Sequence, residues 1–478
     1  MKKFQVYGAL MLLGASVLLT SCFKNEEDDI FDKSASERLD DAKVYYSQIL
    51  TDKGGKWQLE YYANGDENGY VYLMTFNNDG RVTISGQNEY IGYEYNPVST
   101  GAKVFKSETS LWEVVGDNGP VLSLNSYNRT FHIFASPYDI PPYGEQETDE
   151  SGEGHEGDYE FDLMKYSNDT LYIEGKKRQI KMIMTRVDAN IDDQVYMNYV
   201  TAMADSFFHP KFPIVFMNLP NGKRYGIKDG ATQIVTMWDF DKDRISYEAS
   251  YNAIVNHDGF SLMEPFTAEG CTVQRFVRQN SGALQSLEDP SVTIDAGALN
   301  SDVMFNHDNI NKAVLDSTYI SAWTLDAGSL TGNMLTAYNA MKASVNKGTR
   351  KLGVISIEHA GTDQYNDKLA LLKGSNKVPF FDSYVMVIRV SMRSTSSANV
   401  ILPLVPKFEG EEYVTLDLDE PTTQLGQNLI NAVPELANFI ALFRDKKFKL
   451  SAVNSLAPTV LTMALADDAG EAMKFVIR

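Results

Sequence analysis

A cysteine near the amino terminus is the residue whose chemistry the sequence indicates most clearly. Two lysines precede a short apolar run over 4–19, and Cys22 then follows a leucine, a threonine and Ser21. This order is typical of a signal peptide that is cleaved between Ser21 and Cys22, after which the cysteine carries fatty chains such as palmitate. The apolar run is too short for a membrane-spanning helix. The sequence therefore predicts a signal peptide over 1–21 and lipid attachment at Cys22.

The residues that follow the lipidated cysteine indicate where the anchor faces. The segment 22–33 is polar and acidic without periodicity, which predicts a solvated tether. Lys24 followed by several acidic residues resembles the export signal that sends Bacteroides-type lipoproteins to the outer face of the outer membrane. No later stretch approaches eighteen consecutive apolar residues, so we expect the lipid to be the membrane anchor.

Charge and cysteine content exclude some classes of partner and cross-link. The formal net charge is −21, and a field of this sign argues against nucleic acid and anionic lipid. The mature chain keeps one cysteine besides Cys22, which is Cys271, so we expect no internal disulfide between free thiols. Cys271 is predicted to pack as a small apolar residue, because nothing nearby suggests the basic setting that activates a thiol.

Motifs for catalysis and metal binding are absent from the sequence. No two of the six histidines stand at ligand spacing, and neither a Gly-x-Ser-x-Gly elbow nor a phosphate loop occurs. Asp239, Asp241 and Asp243 begin like a calcium loop, but Arg244 occupies the position of the required glycine, so we predict a solvated turn. The sequence thus predicts no catalytic residue, no metal and no cofactor. A hydrolase whose two carboxylates meet only in space stays open as an alternative.

Aromatic side chains are the remaining candidates for ligand contact. Trp57, Tyr61, Tyr93 and Trp112 are predicted to bind a ligand, for example by stacking on a sugar ring. Most aromatic residues in a β-rich protein lie in its core, so a core position is the alternative for each of them. Trp57 and Tyr61 share one face of a predicted strand, which is compatible with either role.

The spacing of apolar residues and turns predicts the elements of the first part of the chain. Ser34 and Glu37 form a capping box that opens a helix over 35–51, and two glycines end it. Short strands then alternate with turn residues as far as 187, apart from a long exposed loop over 136–157. The predicted strands start at Trp57 and continue at 69–76, 81–85, 121–125, 130–135, 159–164, 170–174 and 179–185. This spacing suggests a closed or nearly closed antiparallel sheet.

The later part of the chain mixes strands with helices. Helices are predicted over 190–206, 332–346 and 424–443, with Pro434 kinking or splitting the last one. Strands are predicted at 213–218, 232–239, 244–249, 260–263, 271–277, 351–358, 383–393, 399–404, 412–418, 447–453, 459–465 and 472–477. The segment that begins at Trp238 is similar to the one that begins at Thr75, so an internal repeat is a hypothesis, with shared hairpin chemistry as the alternative.

The fold class that follows is mainly β, multidomain, with antiparallel lipocalin-like or sandwich modules and a few packed helices. The predicted division is an N-terminal β domain over 34–187, a second β-rich region over 188–285 and a mixed β/α region over 286–478.

Several blocks of residues resemble a known family. They are Ser-Ala-Ser-Glu-Arg-Leu at 34–39, Gly-Lys-Trp-Gln-Leu-Glu-Tyr-Tyr at 55–62, Phe-Asn-Asn-Asp-Gly-Arg-Val at 76–82, and further blocks at 119–124, 157–161 and 175–178. In order and spacing they are similar to the domain of unknown function 4302 family. The resemblance covers 34–187 well and the last two hundred residues weakly. It implies a lipoprotein of Bacteroides-type bacteria that often accompanies a SusC-like transporter and its SusD-like lid, and it brings no catalytic residue.

Together these observations predict a surface-exposed outer-membrane lipoprotein that is not an enzyme. Its expected role is that of an accessory in the capture of a nutrient, a glycan or a peptide, beside a SusC/SusD-like transporter. Two alternatives stay open at this point: a structural subunit of a pilus or adhesin, which would accept a donor strand at a sheet edge, and a hydrolase with an unrecognised carboxylate site.

Overall fold

The computed structural model describes residues 33–95, 102–136, 140, 155–229, 235–240, 249–297, 299, 322–359, 384–393, 396–410 and 412–477. The predicted signal peptide with Ser21, the tether from Cys22 to residue 32, most of the predicted loop over 136–157 and all but the last residue of the predicted strand over 244–249 lie outside these residues. Within them the chain is mainly β, with three antiparallel sheets that form barrels or half-barrels, together with six helices. The predicted fold class is confirmed.

The first sheet is a nine-stranded meander whose first and last strands pair with each other. Its order is β4-β3-β2-β1-β9-β8-β7-β6-β5. Its strands are β1 (Lys56–Tyr61), β2 (Tyr70–Phe76), β3 (Arg81–Asn88), β4 (Val104–Leu111), β5 (Glu113–Gly116), β6 (Pro120–Ser123), β7 (Glu160–Ser167), β8 (Thr170–Gly175) and β9 (Lys181–Arg186). Only Trp112 separates the two edge strands, β4 and β5. One bent stretch of chain therefore joins the two edges of this first barrel.

The second sheet repeats this topology. Its order is β13-β12-β11-β10-β18-β17-β16-β15-β14, which matches the first sheet strand for strand, and Asn252 alone separates the edge strands β13 and β14. Its strands are β10 (Val215–Asn218), β11 (Arg224–Asp229), β12 (Val235–Asp239), β13 (Ala249–Tyr251), β14 (Ala253–Val255), β15 (Gly259–Ala268), β16 (Cys271–Arg278), β17 (Leu284–Ser286) and β18 (Thr293–Asp295). This second barrel extends past the predicted boundary at 285.

The repeat is therefore present in the topology, but the predicted alignment of hairpins is wrong by one strand. The turn after Phe76 joins the second and third strands of the first barrel, whereas Trp238 lies on the third strand of the second. Asn, Asp and Gly recur at such turns because they tolerate the turn backbone, and this shared chemistry produced the likeness.

The third sheet closes through an additional pairing between β20 and β21. Its order is β20-β19-β27-β26-β25-β24-β23-β21-β22. Its strands are β19 (Ala322–Asp326), β20 (Lys351–His359), β21 (Tyr384–Arg393), β22 (Ser396–Ser397), β23 (Val400–Glu409), β24 (Tyr413–Leu418), β25 (Lys447–Ala452), β26 (Val460–Leu465) and β27 (Ala472–Ile477). All but the short β22 form a closed ring, the third barrel.

The six helices lie before or beside the barrels. They are α1 (Ala35–Thr51), α2 (Glu89–Tyr95), α3 (Asp193–Phe207), α4 (Gly332–Val345), α5 (Gln424–Ala432) and α6 (Pro434–Ala441). The capping box at the start of α1 is confirmed: the Ser34 hydroxyl accepts from the Glu37 amide, and the Glu37 carboxylate accepts from the Ser34 amide. The predicted split at Pro434 is also confirmed, since this residue starts α6. Among the described residues no helix is long and apolar enough to cross a membrane.

One predicted strand is wrong. The residues from Thr130 to Ala135 form a turn and a single 3-10 turn, His132–Phe134. The Asn128 carboxamide accepts from the amides of Thr130 and Phe131, which holds the chain in a tight turn despite its β-branched and aromatic composition. Helix α2 and strands β4, β5, β11, β14, β17, β18, β19 and β22 were not predicted.

The barrels have separate cores that neighbouring segments join. Helix α3 places Tyr196 in the core of the first barrel and Met203 in the core of the second. Ile254, from β14 of the second barrel, also lies in the first core, and Leu456, from the loop between β25 and β26, lies in the second. These exchanges bring the barrels into contact.

Candidate functional site

The aromatic residues predicted to bind a ligand lie in or against the core of the first barrel. Trp57 is fully buried, and its indole Nε1 donates to the Leu50 carbonyl, 2.9 Å away, at the end of α1. The Arg186 guanidinium lies 4.1 Å from the centroid of the Trp57 ring and donates to the Ile49 and Asp52 carbonyls. Both side chains thus satisfy carbonyls that the helix end leaves unpaired.

Tyr61 and Trp112 have comparable positions. Tyr61 is buried, and its hydroxyl donates to the Asp158 carbonyl at 3.1 Å. Trp112 is buried edge-on against Phe76, and Tyr93 is partly buried against the same core. The structure brings these residues into one core rather than into one open site, which favours the core role for Trp57, Tyr61 and Trp112.

A pocket between the first and second barrels brings together a different set of residues. It measures about 650 Å³ and is lined by β1, β7, β8 and β9 of the first barrel and by β15 and β16 of the second. Its charged lining residues include Glu60, Arg275 and Glu288, together with Glu174, Lys181 and Glu264. Tyr172 and Met164 are exposed side chains along it. We call it the Glu60 pocket. Its volume lies in the range of sites that bind small ligands.

Glu60 owes its position to the period-two pattern of β1. The odd residues of this strand face the first core, so the even residues point outward, but every residue of β1 is buried. The second barrel supplies part of this cover, because Asn256 Nδ2 donates to Glu60 Oε1 at 3.0 Å. Burial raises the pKa of the Glu60 carboxyl to about 7, although Asn256, Arg275 and Ser261 favour the charged form.

A polar chain continues from Glu60 along the contact between the barrels. The Gln58 carboxamide lies 3.5 Å from Glu60 Oε1, and the Tyr196 hydroxyl donates to Gln58 Oε1 at 2.7 Å. His257 Nδ1 lies 2.7 Å from the same hydroxyl, and burial lowers the pKa of His257 against the opposing effect of Asp258. These hydrogen bonds hold β1, α3 and the second barrel in register beside the pocket.

Arg275 and Glu288 form the charged side of the pocket that belongs to the second barrel. Arg275 Nε lies 3.5 Å from Glu288 Oε1. Burial opposes ionisation of Glu288, but the amides of Arg275 and Gln274, each 3.1 Å from Oε2, outweigh it, and the pKa of Glu288 is lowered. Two carboxyl groups of the Glu60 pocket therefore have pKa values shifted in opposite directions, upward for Glu60 and downward for Glu288.

Sequence reasoning missed Glu60 because its neighbours come from distant parts of the chain. Asn256 lies far from it in sequence, and the pocket forms only when two barrels meet. The available signal was the polar outer face of β1, with Gln58 and Glu60 alternating with apolar residues. This signal predicts a solvated face equally well.

Asp239, the first acid of the predicted calcium-like turn, is not solvated. It is buried, and its Oδ2 lies 3.0 Å from the Lys223 ammonium, so the prediction of a solvated turn is wrong at this residue. The rest of that turn, 241–248, lies outside the described residues. In the part of the chain that the structure describes, no three His, Cys, Asp or Glu side chains are grouped to hold a metal ion.

Cys271 packs, partly buried, against the core of the second barrel, as predicted. Burial and the nearby Asp289 carboxylate raise the pKa of the Cys271 thiol. Both effects disfavour the reactive thiolate.

Comparison with protein families extends the resemblance seen in the sequence. A family model described as "Domain of unknown function (DUF4302)" matches residues 27–280, more than half of the chain. The match covers the first barrel and most of the second, farther than the 34–187 expected from the sequence blocks. No curated protein shows significant similarity to the chain.

Proposed function

We propose that this chain, which belongs to the domain of unknown function 4302 family, is a surface-exposed outer-membrane lipoprotein. In this proposal it captures a nutrient, a glycan or a peptide, beside a SusC/SusD-like transporter and without catalysis. The presence of the Glu60 pocket supports the proposed capture function.

The lining of the Glu60 pocket suits a ligand with both apolar and polar groups. Tyr172 and Met164 supply partly exposed apolar surface, with 39% and 60% of their areas exposed. Arg275, Glu288 and Glu60 supply hydrogen-bonding groups of both signs within the same 650 Å³. Sugars and peptides combine apolar faces with many donors and acceptors, so the lining supports these ligand classes.

Capture is tested by binding and by growth. The full mature chain is titrated with a panel of soluble glycans and of mixed peptides, and a deletion strain is grown on each of them. We expect saturable binding of at least one class and slower growth of the deletion strain on that nutrient. Absence of binding across the panel, with normal growth, contradicts the proposal.

The proposed location rests on the residues around Cys22 and is tested on whole cells. The protease sensitivity of the protein on intact cells is compared with that of Cys22→Ser, which removes the acylated thiol. We expect the wild-type protein to be degraded on intact cells and the variant to leave the membrane fraction. Protection of the wild-type protein by the intact cell contradicts surface exposure. Co-purification from outer membranes tests the transporter partnership.

A hydrolase is the second candidate function, favoured by two of the carboxyl groups that line the Glu60 pocket, those of Glu60 and Glu288. Hydrolases of glycosidic bonds use one protonated and one ionised carboxyl group, and the opposite pKa shifts of Glu60 and Glu288 have that form. Product release from a glycan panel, abolished by both Glu60→Gln and Glu288→Gln, would establish catalysis. Binding without product release supports the non-catalytic role.

A further inference from the structure

We infer that the first barrel carries a second ligand site, a carbohydrate-stacking cup formed by Tyr127, His132 and Tyr159. The three rings lie in the loops at one end of the barrel, between β6 and β7. The ring centroids of Tyr127 and Tyr159 lie 5.5 and 5.1 Å from that of His132, with tilts of 37° and 38°. The inference rests on the proposed capture function and names the ligand class as a neutral sugar.

The aromatic cup is open to solvent and small. Tyr127 and Tyr159 expose 59% and 41% of their surfaces, although large aromatic side chains elsewhere in this barrel are mostly buried. The volume enclosed with the neighbouring Asn125, Ala135 and Ser136 is about 280 Å³. This is at the lower limit of small-molecule sites, which suits one ring of a longer chain.

The floor of the cup is fixed and uncharged. The Asn128 amide donates to His132 Nδ1 at 3.0 Å, which assigns the ring proton to Nε2, and Nε2 lies 2.8 Å from the Leu124 carbonyl. Burial lowers the pKa of His132, so the imidazole is neutral at pH 7. The ring is therefore held in place before a ligand arrives, which reduces the entropy lost on binding.

The charge of the surroundings narrows the ligand class. Among the residues that the structure describes, none of the side chains that line the cup is an acid, a lysine or an arginine. The chain as a whole has a net charge of −21, which repels anions. A cation held on exposed rings keeps much of its hydration, so it gains little binding energy from the rings. A pyranose presents an apolar C–H face to a ring and hydroxyl groups to the polar rim, where the Asn125 amide is oriented by Glu113 Oε1 at 3.0 Å.

The test compares ring removal in the cup with ring removal elsewhere. Soluble neutral oligosaccharides, choline and a tyrosine-containing dipeptide are each titrated into the full mature chain, and saturation-transfer NMR reports which protons contact the rings. Tyr127→Ala and Tyr159→Ala are expected to weaken oligosaccharide binding about tenfold. Tyr127→Phe keeps the ring and should lose less affinity for the oligosaccharide. Tyr199 is an exposed tyrosine of α3, and Tyr199→Ala should leave this affinity unchanged.

The outcomes separate this inference from the proposed function. If oligosaccharide binding depends on Tyr172 of the Glu60 pocket but not on Tyr127 or Tyr159, capture stands and the cup is overturned. Binding of choline or the dipeptide alone at the cup also overturns the sugar assignment. If the wild-type chain binds no glycan and no peptide, both proposals fail. Thermal unfolding of each variant confirms that these exposed substitutions leave the fold intact.

Discussion

At the residue scale, the same side-chain types have opposite roles according to what covers them. Trp57 and Tyr61 are large rings on a strand that faces the core, and their polar atoms bond to backbone carbonyls. Tyr127 and Tyr159 lie on loops and keep open faces. Glu60 carries its carboxyl group on the outward face of β1, which the second barrel covers. This burial disfavours the charged form and raises the pKa of the carboxyl group.

The raised pKa of Glu60 predicts a specific dependence of stability on pH. The folded state holds a proton that the unfolded state releases between about pH 4.5 and 7, so the free energy of unfolding falls as pH rises through this window. The fall is about 3 kcal/mol for a shift of this size. Glu60→Gln should remove it and stabilise the protein at pH 8, as measured by thermal unfolding from pH 5 to 8.

Glu288→Gln is the matched control, because the lowered pKa of Glu288 has the opposite sign. Its ionised form contributes stability above the unfolded pKa, and that contribution disappears as pH falls through the folded pKa. We therefore expect Glu288→Gln to destabilise the protein at neutral pH. If the pH profiles of the wild-type chain and Glu60→Gln are parallel, Glu60 is not buried as described.

At the element scale, local sequence signals predicted local structure and failed where distant residues decide. The capping box of α1, the hairpin after Phe76 and the break at Pro434 each depend on a few consecutive residues. The 3-10 turn at His132 depends on the Asn128 side chain, and the pocket around Glu60 depends on another barrel. The spacing of strands and turns predicted a closed or nearly closed antiparallel sheet, but it does not identify β1 and β9 as the strands that pair.

Gly55 provides a test of the junction between α1 and β1. Its φ is 63°, and a Cβ at this position would lie 2.2 Å from the Phe76 carbonyl oxygen, a backbone atom that cannot move aside. Gly55→Ala is expected to cost more than about 2 kcal/mol in the free energy of unfolding, from strain and from this clash. Chemical denaturation measures this loss. The control is Gly119→Ala, because nothing lies within 4 Å of the Cβ added there. Equal stability of the two variants would contradict the described junction.

At the scale of the whole molecule, the chain is a series of three barrels that share segments. The first two have the same strand order, and the third closes by a direct pairing of β20 with β21. Leu456 lies on a loop between two strands of the third barrel, yet the Leu456 side chain is fully buried in the second core. The backbone of this loop also bonds to the second barrel through Ser455 and Ser281, at 2.8 Å.

Because the barrels share segments, we expect a destabilising substitution in one barrel to lower the stability of its neighbour. Leu456→Ala should cost about 2–5 kcal/mol and lower hydrogen-exchange protection in β10–β18, although the substitution lies between two strands of the third barrel. Leu461→Ala, a fully buried leucine of the third core, should instead lower protection in β19–β27. Identical exchange patterns for the two variants would show that Leu456 does not join the barrels.

Capture of a nutrient between the first two barrels is tested by one titration. The full mature chain, Tyr172→Ala in the Glu60 pocket and Tyr199→Ala on α3 are titrated calorimetrically with the glycan or peptide that binds the wild-type chain. We predict affinity at least about tenfold weaker for Tyr172→Ala and unchanged for Tyr199→Ala. Equal affinity for all three proteins, or no binding by the wild-type chain across the panel, would contradict it.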